Sequence, residues 1–152
     1  MQDAQNSQNS QKSLDLEFDV AADDFQTAGG ASNNIKETLK MLGLPSAICR
    51  RAAIIAYEAE INLVIHGGGG RIIANIDGNK IGIMTIDEGP GIPDVDLAIQ
   101  AGWTTANDRA REMGFGAGMG LPNIKKNSDE FEIETEVGKG TTLKTVINFT
   151  KE

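Results

Sequence analysis

Two polar side chains, Glu58 and Asn62, lie four residues apart in a segment whose apolar residues recur with helical period. At this spacing their side chains share one face of a helix, one turn from each other. The carbonyl oxygen of an asparagine can fill one place around Mg²⁺, which usually keeps waters and substrate phosphates as its other ligands. A glutamate can accept a proton from an attacking hydroxyl or water. A solvated helix face is the alternative for this pair, and Glu60, which points away from Asn62, is predicted to be a surface charge.

A second carboxylate, Asp87, follows the alternating apolar residues 81–86, which are typical of a buried strand. Gly89, Gly91 and two prolines come after it, so the chain must turn there. A carboxylate at a strand end, beside glycines that let a flat ligand approach the backbone, suits a heterocycle that carries an amino group. An acidic β-turn without a ligand is the alternative.

Residues 114–121 place a glycine at every second position, and a helical pattern begins immediately afterwards. Such a segment exposes successive backbone N–H groups, and the start of a helix adds partial positive charge, so the segment suits phosphates. The glycine spacing does not match a Rossmann fingerprint, and no Gly-Lys-Ser/Thr sequence follows, as a P-loop would require. A flexible linker is the alternative.

Composition narrows the class of protein. The 152 residues suffice for one domain, and 39% hydrophobic and 24% charged residues are globular values. The formal net charge of −8 argues against nucleic acid or an anionic membrane as the main partner. Cys49 and His66 are the only residues of their types, so a redox or metal protein is improbable, and both are expected to be structural. No apolar run is long enough for export or for a membrane span, which predicts a cytoplasmic protein.

The elements that position these residues follow from periodicity. Residues 1–13 are rich in Gln, Asn and Ser and predict a disordered tail, and residues 14–152 form the predicted domain. Residues 67–70 are expected to make a mobile entry to a hairpin, and residues 102–118 a mobile loop. The order of elements predicts an α+β fold: a two-layer α/β sandwich of a mixed sheet with helices on one face. The predicted strands are 14–20, 71–76, 80–86, 131–137 and 142–149, and the predicted helices are 28–42, 45–66, 94–101 and 121–126.

These motifs together resemble the Bergerat-fold (GHKL) ATPases, the superfamily of gyrase, Hsp90, histidine kinases and MutL. The resemblance covers about residues 14 to 150 and rests on four boxes that occur in the order of that family. Within the superfamily, the run 58–67 and the segment 103–105 are similar to the anti-sigma-factor serine/threonine kinases, and residues 87–94 and 129–141 look most like RsbT-type switch kinases. The four boxes are Glu58-x-x-x-Asn62, Asp87-x-Gly89-x-Gly91, Gly116-x-Gly118-x-Gly120-Leu121 and Gly140-Thr141.

The resemblance implies a role for each of these residues in a histidine-kinase-like ATPase domain that binds ATP and Mg²⁺. Asn62 would be the metal ligand, and Glu58 the general base. Asp87 would accept from the adenine amino group, with Thr141 supporting it through water. The remaining residues of the boxes would bind nucleotide through close backbone approach: Gly89 and Gly91 at the base, and Gly116, Gly118, Gly120 and Leu121 at the β- and γ-phosphates.

The segment that would form the lid over ATP holds two arginines, Arg109 and Arg111. Either is a candidate for a contact with the γ-phosphate, and ordinary solvated arginines are the alternative. The sequence does not choose between them.

The function that the resemblance implies is an ATP- and Mg²⁺-dependent protein serine/threonine kinase that regulates a signalling partner. The implied partner is a small STAS-type substrate or antagonist, with a sigma factor as a second partner and a homodimer as one compatible assembly. The alternative is a non-catalytic module in which ATP gates capture of the partner. An ATP-hydrolysing conformational machine is a second alternative, against which the short chain counts.

Overall fold

The computed structural model describes residues 13–66, 68–100 and 120–150, which contain five strands and four helices. The predicted tail before residue 13 and the predicted loop 102–118 lie outside the described residues. The strands are β1 (Leu14–Ala21), β2 (Gly69–Ile76), β3 (Lys80–Asp87), β4 (Glu130–Glu136) and β5 (Gly140–Asn148). The helices are α1 (Gly30–Met41), α2 (Ser46–Ile65), the short α3 (Val95–Ala98) and α4 (Gly120–Asn127).

The predicted α+β class is confirmed, and the predicted elements are all present with shifts of a few residues at their ends. The strands form one sheet in the order β1-β2-β3-β5-β4. The expectation of a mixed sheet is wrong for the described residues, because every strand pair in this sheet is antiparallel. The reason lies in the connections. Two helices, α1 and α2, return the chain to the end of the sheet that it left, so β2 runs against β1.

The connection from β3 to β4 contains α3 and α4, and residues 101–119 of it lie outside the described residues. β3 and β4 run in the same direction, since β5 pairs antiparallel with each of them. They do not pair, because β5 lies between them and runs against both. β3 and β4 are therefore parallel to each other, but the described strands form no hydrogen-bonded parallel pair.

The hydrophobic core lies between the sheet and the helices α1, α2 and α4. Strand residues alternate between the covered face and the open face, and the period of the helices places one stripe of each against the sheet. Ile35 and Leu39 of α1 and Ala52 and Ile55 of α2 belong to this core and are fully buried. No helix among the described residues is long and apolar enough to cross a membrane.

Glu60 is not the surface charge that the sequence analysis predicts, since only 3% of it is exposed. Its carboxylate accepts hydrogen bonds from the backbone N–H groups of Ala31 (3.2 Å) and Ser32 (2.9 Å), in the first turn of α1. The residue that precedes this helix is Gly29, which has no side chain to cap it. Glu60 of α2, which is distant in sequence, therefore caps the start of α1.

Replacing Glu60 by alanine should lower the free energy of unfolding by about 2–4 kcal/mol, because two buried N–H groups lose their acceptor. Chemical denaturation followed by circular dichroism measures this change. Glu37→Ala is the matched control: this exposed carboxylate of α1 makes only an exposed ion pair with Lys40, and its loss should cost less than about 0.5 kcal/mol. Equal losses from the two variants would contradict the capping role.

The glycines before β2 also differ from the sequence-based expectation. Gly69 and Gly70 are not a loop but the first two residues of β2, and they pair with Ala21 and Val20 of β1. A Cβ atom on Gly70 would lie 2.3 Å from the carbonyl oxygen of Ile86, so no larger residue fits. Close packing of backbones thus accounts for Gly69 and Gly70. Gly67 lies outside the described residues.

Candidate functional site

Glu58 and Asn62 of α2 converge on the first residue of α4, Gly120. A Cβ atom on Gly120 would lie 3.0 Å from Asn62 Oδ1 and 3.5 Å from Glu58 Oε1. Both oxygens therefore lie close to the backbone of Gly120, at the positively polarised start of a helix, and a larger residue there would crowd them. Two oxygens and the N–H groups of a helix terminus form a suitable environment for a phosphate with its cation.

Asn123 of α4 holds Glu58 in place, which the sequence analysis does not predict. Its side-chain N–H donates to Glu58 Oε2 at 3.2 Å. The other carboxylate oxygen, Oε1, is the one that faces Gly120. No motif spacing connects residues 58 and 123, so only the packing of α4 on α2 reveals this contact.

Asp87, at the end of β3, uses one of its two carboxylate oxygens to order its surroundings. Its Oδ1 accepts hydrogen bonds from the backbone N–H groups of Gly89 (2.9 Å) and Thr141 (3.2 Å). Within the described parts of the chain no hydrogen bond reaches Oδ2, which is available for a donor on a ligand. Burial raises the pKa of Asp87 above its ordinary value, and the two hydrogen bonds from Gly89 and Thr141 oppose that shift.

The loop after Asp87 is fixed to the turn between β4 and β5. The N–H of Gly138 donates to the carbonyl oxygen of Pro90 at 2.8 Å. Gly91 has a φ of +79°, and a Cβ there would lie 2.5 Å from the carbonyl oxygen of Glu136. The glycine is therefore required by the contact between the two loops, whether or not a ligand also lies against it.

Thr135 of β4 is a second residue of the site that belongs to none of the four boxes. Its hydroxyl accepts from the N–H of Ile92 at 2.9 Å and contacts the hydroxyl of Thr141 at 2.9 Å. Thr141 therefore contacts Asp87 through its backbone, while its side chain joins the pair that holds the loop. A signal was present in the sequence, because Thr135 follows Phe131 and Ile133 on the covered face of β4 as a polar residue at an apolar position.

Two close backbone contacts bring the parts of the site together at the end of β3, where Asp87 lies. A Cβ atom on Gly140 would lie 2.1 Å from the carbonyl oxygen of Asp87, so the terminal glycine of the motif is sterically required. A Cβ atom on Gly70 would lie 3.0 Å from Leu63 Cδ2 and 3.2 Å from Asp87 Cα. Asp87 consequently lies beside α2, next to the turn of that helix that carries Asn62.

The remaining predicted site residues divide into two groups. Leu121 is half-buried and packs its side chain against the hydrophobic core. Gly89 donates its backbone N–H to Asp87. The other members lie outside the described residues: Gly116, Gly118, Arg109 and Arg111.

His66 and Cys49 occupy structural positions, as expected. His66 ends α2, where its backbone N–H donates to the carbonyl oxygen of Asn62 at 2.8 Å, and burial lowers its pKa. Cys49 is buried, with its Sγ 3.6 Å from the carbonyl oxygen of Leu44. No group of three or more His, Cys, Asp or Glu side chains that could hold a metal is present in the described part of the chain.

The family model described as "Histidine kinase-, DNA gyrase B-, and HSP90-like ATPase" matches residues 49–151. This match covers more than half of the chain and includes every residue of the site described above. The chain belongs to this family of ATPases. The resemblance inferred from the four boxes is thereby confirmed.

Curated relatives come from two groups within the family. The anti-sigma F factor of Thermoanaerobacter sp. (strain X514) is 41% identical over 92 residues, which are 57% of this chain and 61% of the relative. The serine/threonine-protein kinase RsbT of Bacillus subtilis (strain 168) is 28% identical over 115 residues, which are 73% of this chain and 80% of that kinase. The chain thus spans less than two thirds of the anti-sigma F factor that it matches.

A solved structure agrees with the fold. The mycobacterial sensor histidine kinase MprB superimposes with a TM-score of 0.51 over 91% of this chain and 100% of the other, at 15% sequence identity. At this identity the likeness establishes the architecture and no more.

Proposed function

We propose that this protein is an ATP- and Mg²⁺-dependent serine/threonine kinase that phosphorylates a STAS-type regulator of a signalling pathway. The observation that carries the proposal is the convergence of Glu58 Oε1 and Asn62 Oδ1 on the backbone of Gly120, at the start of α4. Similarity to anti-sigma F factors and to a serine/threonine kinase supports the same reading. A sigma factor is the proposed second partner.

Each proposed role follows from an atom with unused bonding capacity. Asp87 Oδ2 would accept from the amino group of adenine, since Oδ1 is already occupied. The side-chain oxygen of Asn62 would be the one protein ligand of Mg²⁺, which would neutralise and orient the phosphates when bound. The N–H groups at the start of α4, with Gly120 as its first residue, would bind phosphate oxygens.

Glu58 is the proposed general base. The hydroxyl oxygen of the partner's serine or threonine would form a bond to the γ-phosphorus, the bond to the β,γ-bridging oxygen would break, and ADP would leave. The proton of the hydroxyl would pass to Glu58, while Asn123 holds the carboxylate through Oε2. Positioning and charge neutralisation supply most of the rate enhancement in such transfers, so a small set of side chains suffices.

The alternative is a module that binds ATP and captures a partner without transferring phosphate. The two functions differ in one measurement: incubation with γ-labelled ATP, Mg²⁺ and purified STAS-domain proteins of the same cell. The kinase transfers label to a serine or threonine of one of them. Stoichiometric, ATP-dependent binding without label would favour the module.

Replacing Asn62 by alanine should remove the Mg²⁺-dependent part of the affinity for ATP and leave the fold intact. Isothermal titration calorimetry with and without Mg²⁺ measures this part in both proteins. Asn79→Ala is the control, because Asn79 lies at the turn between β2 and β3, and its side chain makes no hydrogen bond to the described residues. If Mg²⁺ raises the ATP affinity of Asn62→Ala as much as that of the wild type, Asn62 is not the metal ligand.

A further inference from the structure

A groove of about 550 Å³ lies between α1 and α2 and is lined by no strand residue. Its floor is apolar and includes Leu44, Ala53 and Ile54, of which all three are half-buried. Ala53 and Ile54 do not face the sheet, so α2 carries apolar side chains on a second face besides its core stripe. Apolar surface of this kind on a helix is typical of a binding groove.

The rim of the groove is cationic. Lys36 and Lys40 of α1 lie along one side and Arg50 of α2 along the other. Neither Lys36 nor Arg50 forms an ion pair with any of the residues that the structure describes. Lys40 makes only an exposed pair with Glu37 at 3.8 Å, which contributes little. Three cations around an apolar floor contrast with the whole chain, in which 22 acidic residues outnumber 14 basic ones.

The groove ends at Glu58, the proposed general base. Tyr57 and Glu58 line this end, and the carboxylate of Glu58 also extends to Asn123 and Gly120 on the side of the phosphates. The distance along α2 from Ser46 to Glu58 is about 18 Å, the length of five or six extended residues. A short segment lying in the groove would therefore bring one of its side chains to Glu58.

We propose that this groove binds the segment of the partner protein that carries the phosphorylated hydroxyl, and that it selects acidic and apolar residues beside that hydroxyl. This inference rests on the proposed function, because it assigns the substrate of the same site. Charge complementarity identifies the occupant: three cations call for carboxylates, and the apolar floor calls for at least one apolar side chain. Residues 1–12 of this chain do not match, since Asp3 is their only acid.

The test measures binding of the full chain to a library of short serine-centred peptides with randomised flanks, followed by fluorescence anisotropy with the peptide that binds best. We expect enrichment of Asp and Glu on at least one side of the serine. The double variant Lys36→Glu/Arg50→Glu should weaken that peptide about tenfold or more, and the wild-type affinity should fall with added salt. Ala53→Phe, which fills the floor without changing charge, should weaken the same peptide.

The matched control is Lys125→Glu/Lys126→Glu, which reverses two exposed charges at the end of α4, outside the groove. Its peptide affinity should stay within about twofold of the wild type, because distant surface charges are screened. Absence of acidic enrichment, or equal loss in both double variants, would overturn the inference. The inference would also be wrong if the groove variants changed the sedimentation of the protein and not its affinity for the peptide. The groove would then bind a second copy of the chain.

Calorimetry with ATP on the same proteins separates this inference from the proposed function. The groove variants should bind ATP as the wild type does, because none of the changed residues contacts the nucleotide site. If the wild type binds ATP but does not select acidic peptides, the inference about the groove is wrong and the proposed function stands. If the wild type selects acidic peptides but binds no ATP, the proposed kinase function is wrong.

Discussion

The replacement Asp87→Asn should weaken ATP binding about 10- to 100-fold, the loss expected for one hydrogen bond to a charged acceptor. Asparagine has the same shape, and its carbonyl oxygen can still accept from the N–H groups of Gly89 and Thr141. Its amide nitrogen would then take the place of Oδ2 and present a donor to the amino group of adenine. The fold should persist while the contact with the base is lost, and calorimetry with ATP measures the difference.

Glu88→Gln is the matched control for Asp87→Asn. Glu88 is the adjacent carboxylate and is exposed, so its replacement removes the same charge without touching the proposed contact. Its affinity for ATP should stay within about twofold of the wild type, since an exposed charge is well screened. Equal affinities of Asp87→Asn and the wild type would exclude Asp87 as the adenine acceptor.

The same carboxylate should make nucleotide binding sensitive to acid. Because burial raises the pKa of Asp87, protonation begins at a higher pH than for a solvated aspartate, and the protonated group no longer offers a free acceptor. Wild-type affinity should therefore fall as the pH drops through that pKa, more steeply than the affinity of Asp87→Asn. The free energy of unfolding should respond to pH in the opposite direction. A raised pKa means that ionisation of Asp87 is unfavourable in the native state, so its protonation stabilises the fold.

The replacement Glu58→Gln should slow phosphoryl transfer about 100- to 10,000-fold, the usual contribution of a general base. Glutamine keeps a carbonyl oxygen for the N–H of Asn123 and fills the same space beside Gly120. ATP affinity should change little, which assigns the loss to the chemical step and not to binding. Transfer of label from γ-labelled ATP to the STAS-domain partner, under single-turnover conditions, measures the rate.

The control for Glu58→Gln is Glu132→Gln, since Glu132 is an exposed carboxylate of β4, on an edge strand of the sheet. Its transfer rate should equal that of the wild type. A Glu58→Gln protein that transfers phosphate at the wild-type rate would remove Glu58 as the base. A variant that loses ATP affinity in parallel would instead make Glu58 a binding residue.

The sequence by itself determined the elements and the candidate residues. Alternation and helical period fixed the strands and helices to within a few residues, because burying one face imposes a period of two on a strand and of about 3.6 on a helix. The boxes around Glu58, Asn62 and Asp87 identified the family, since their spacing reflects local geometry along one helix or one turn. Contacts of this kind lie within a few residues of each other and can be recognised without a fold.

Only the tertiary structure decided which residues far apart in the sequence contact one another. Glu60 appeared to be a surface charge because its own helix gives no sign that α1, some thirty residues earlier, begins beside it without a cap. Asn123 and Thr135 acquire their roles from the packing of α4 on α2 and of β4 beside the loop after Asp87. Such pairings depend on the order of strands and the layering of helices, which the local periodicity of a sequence does not encode.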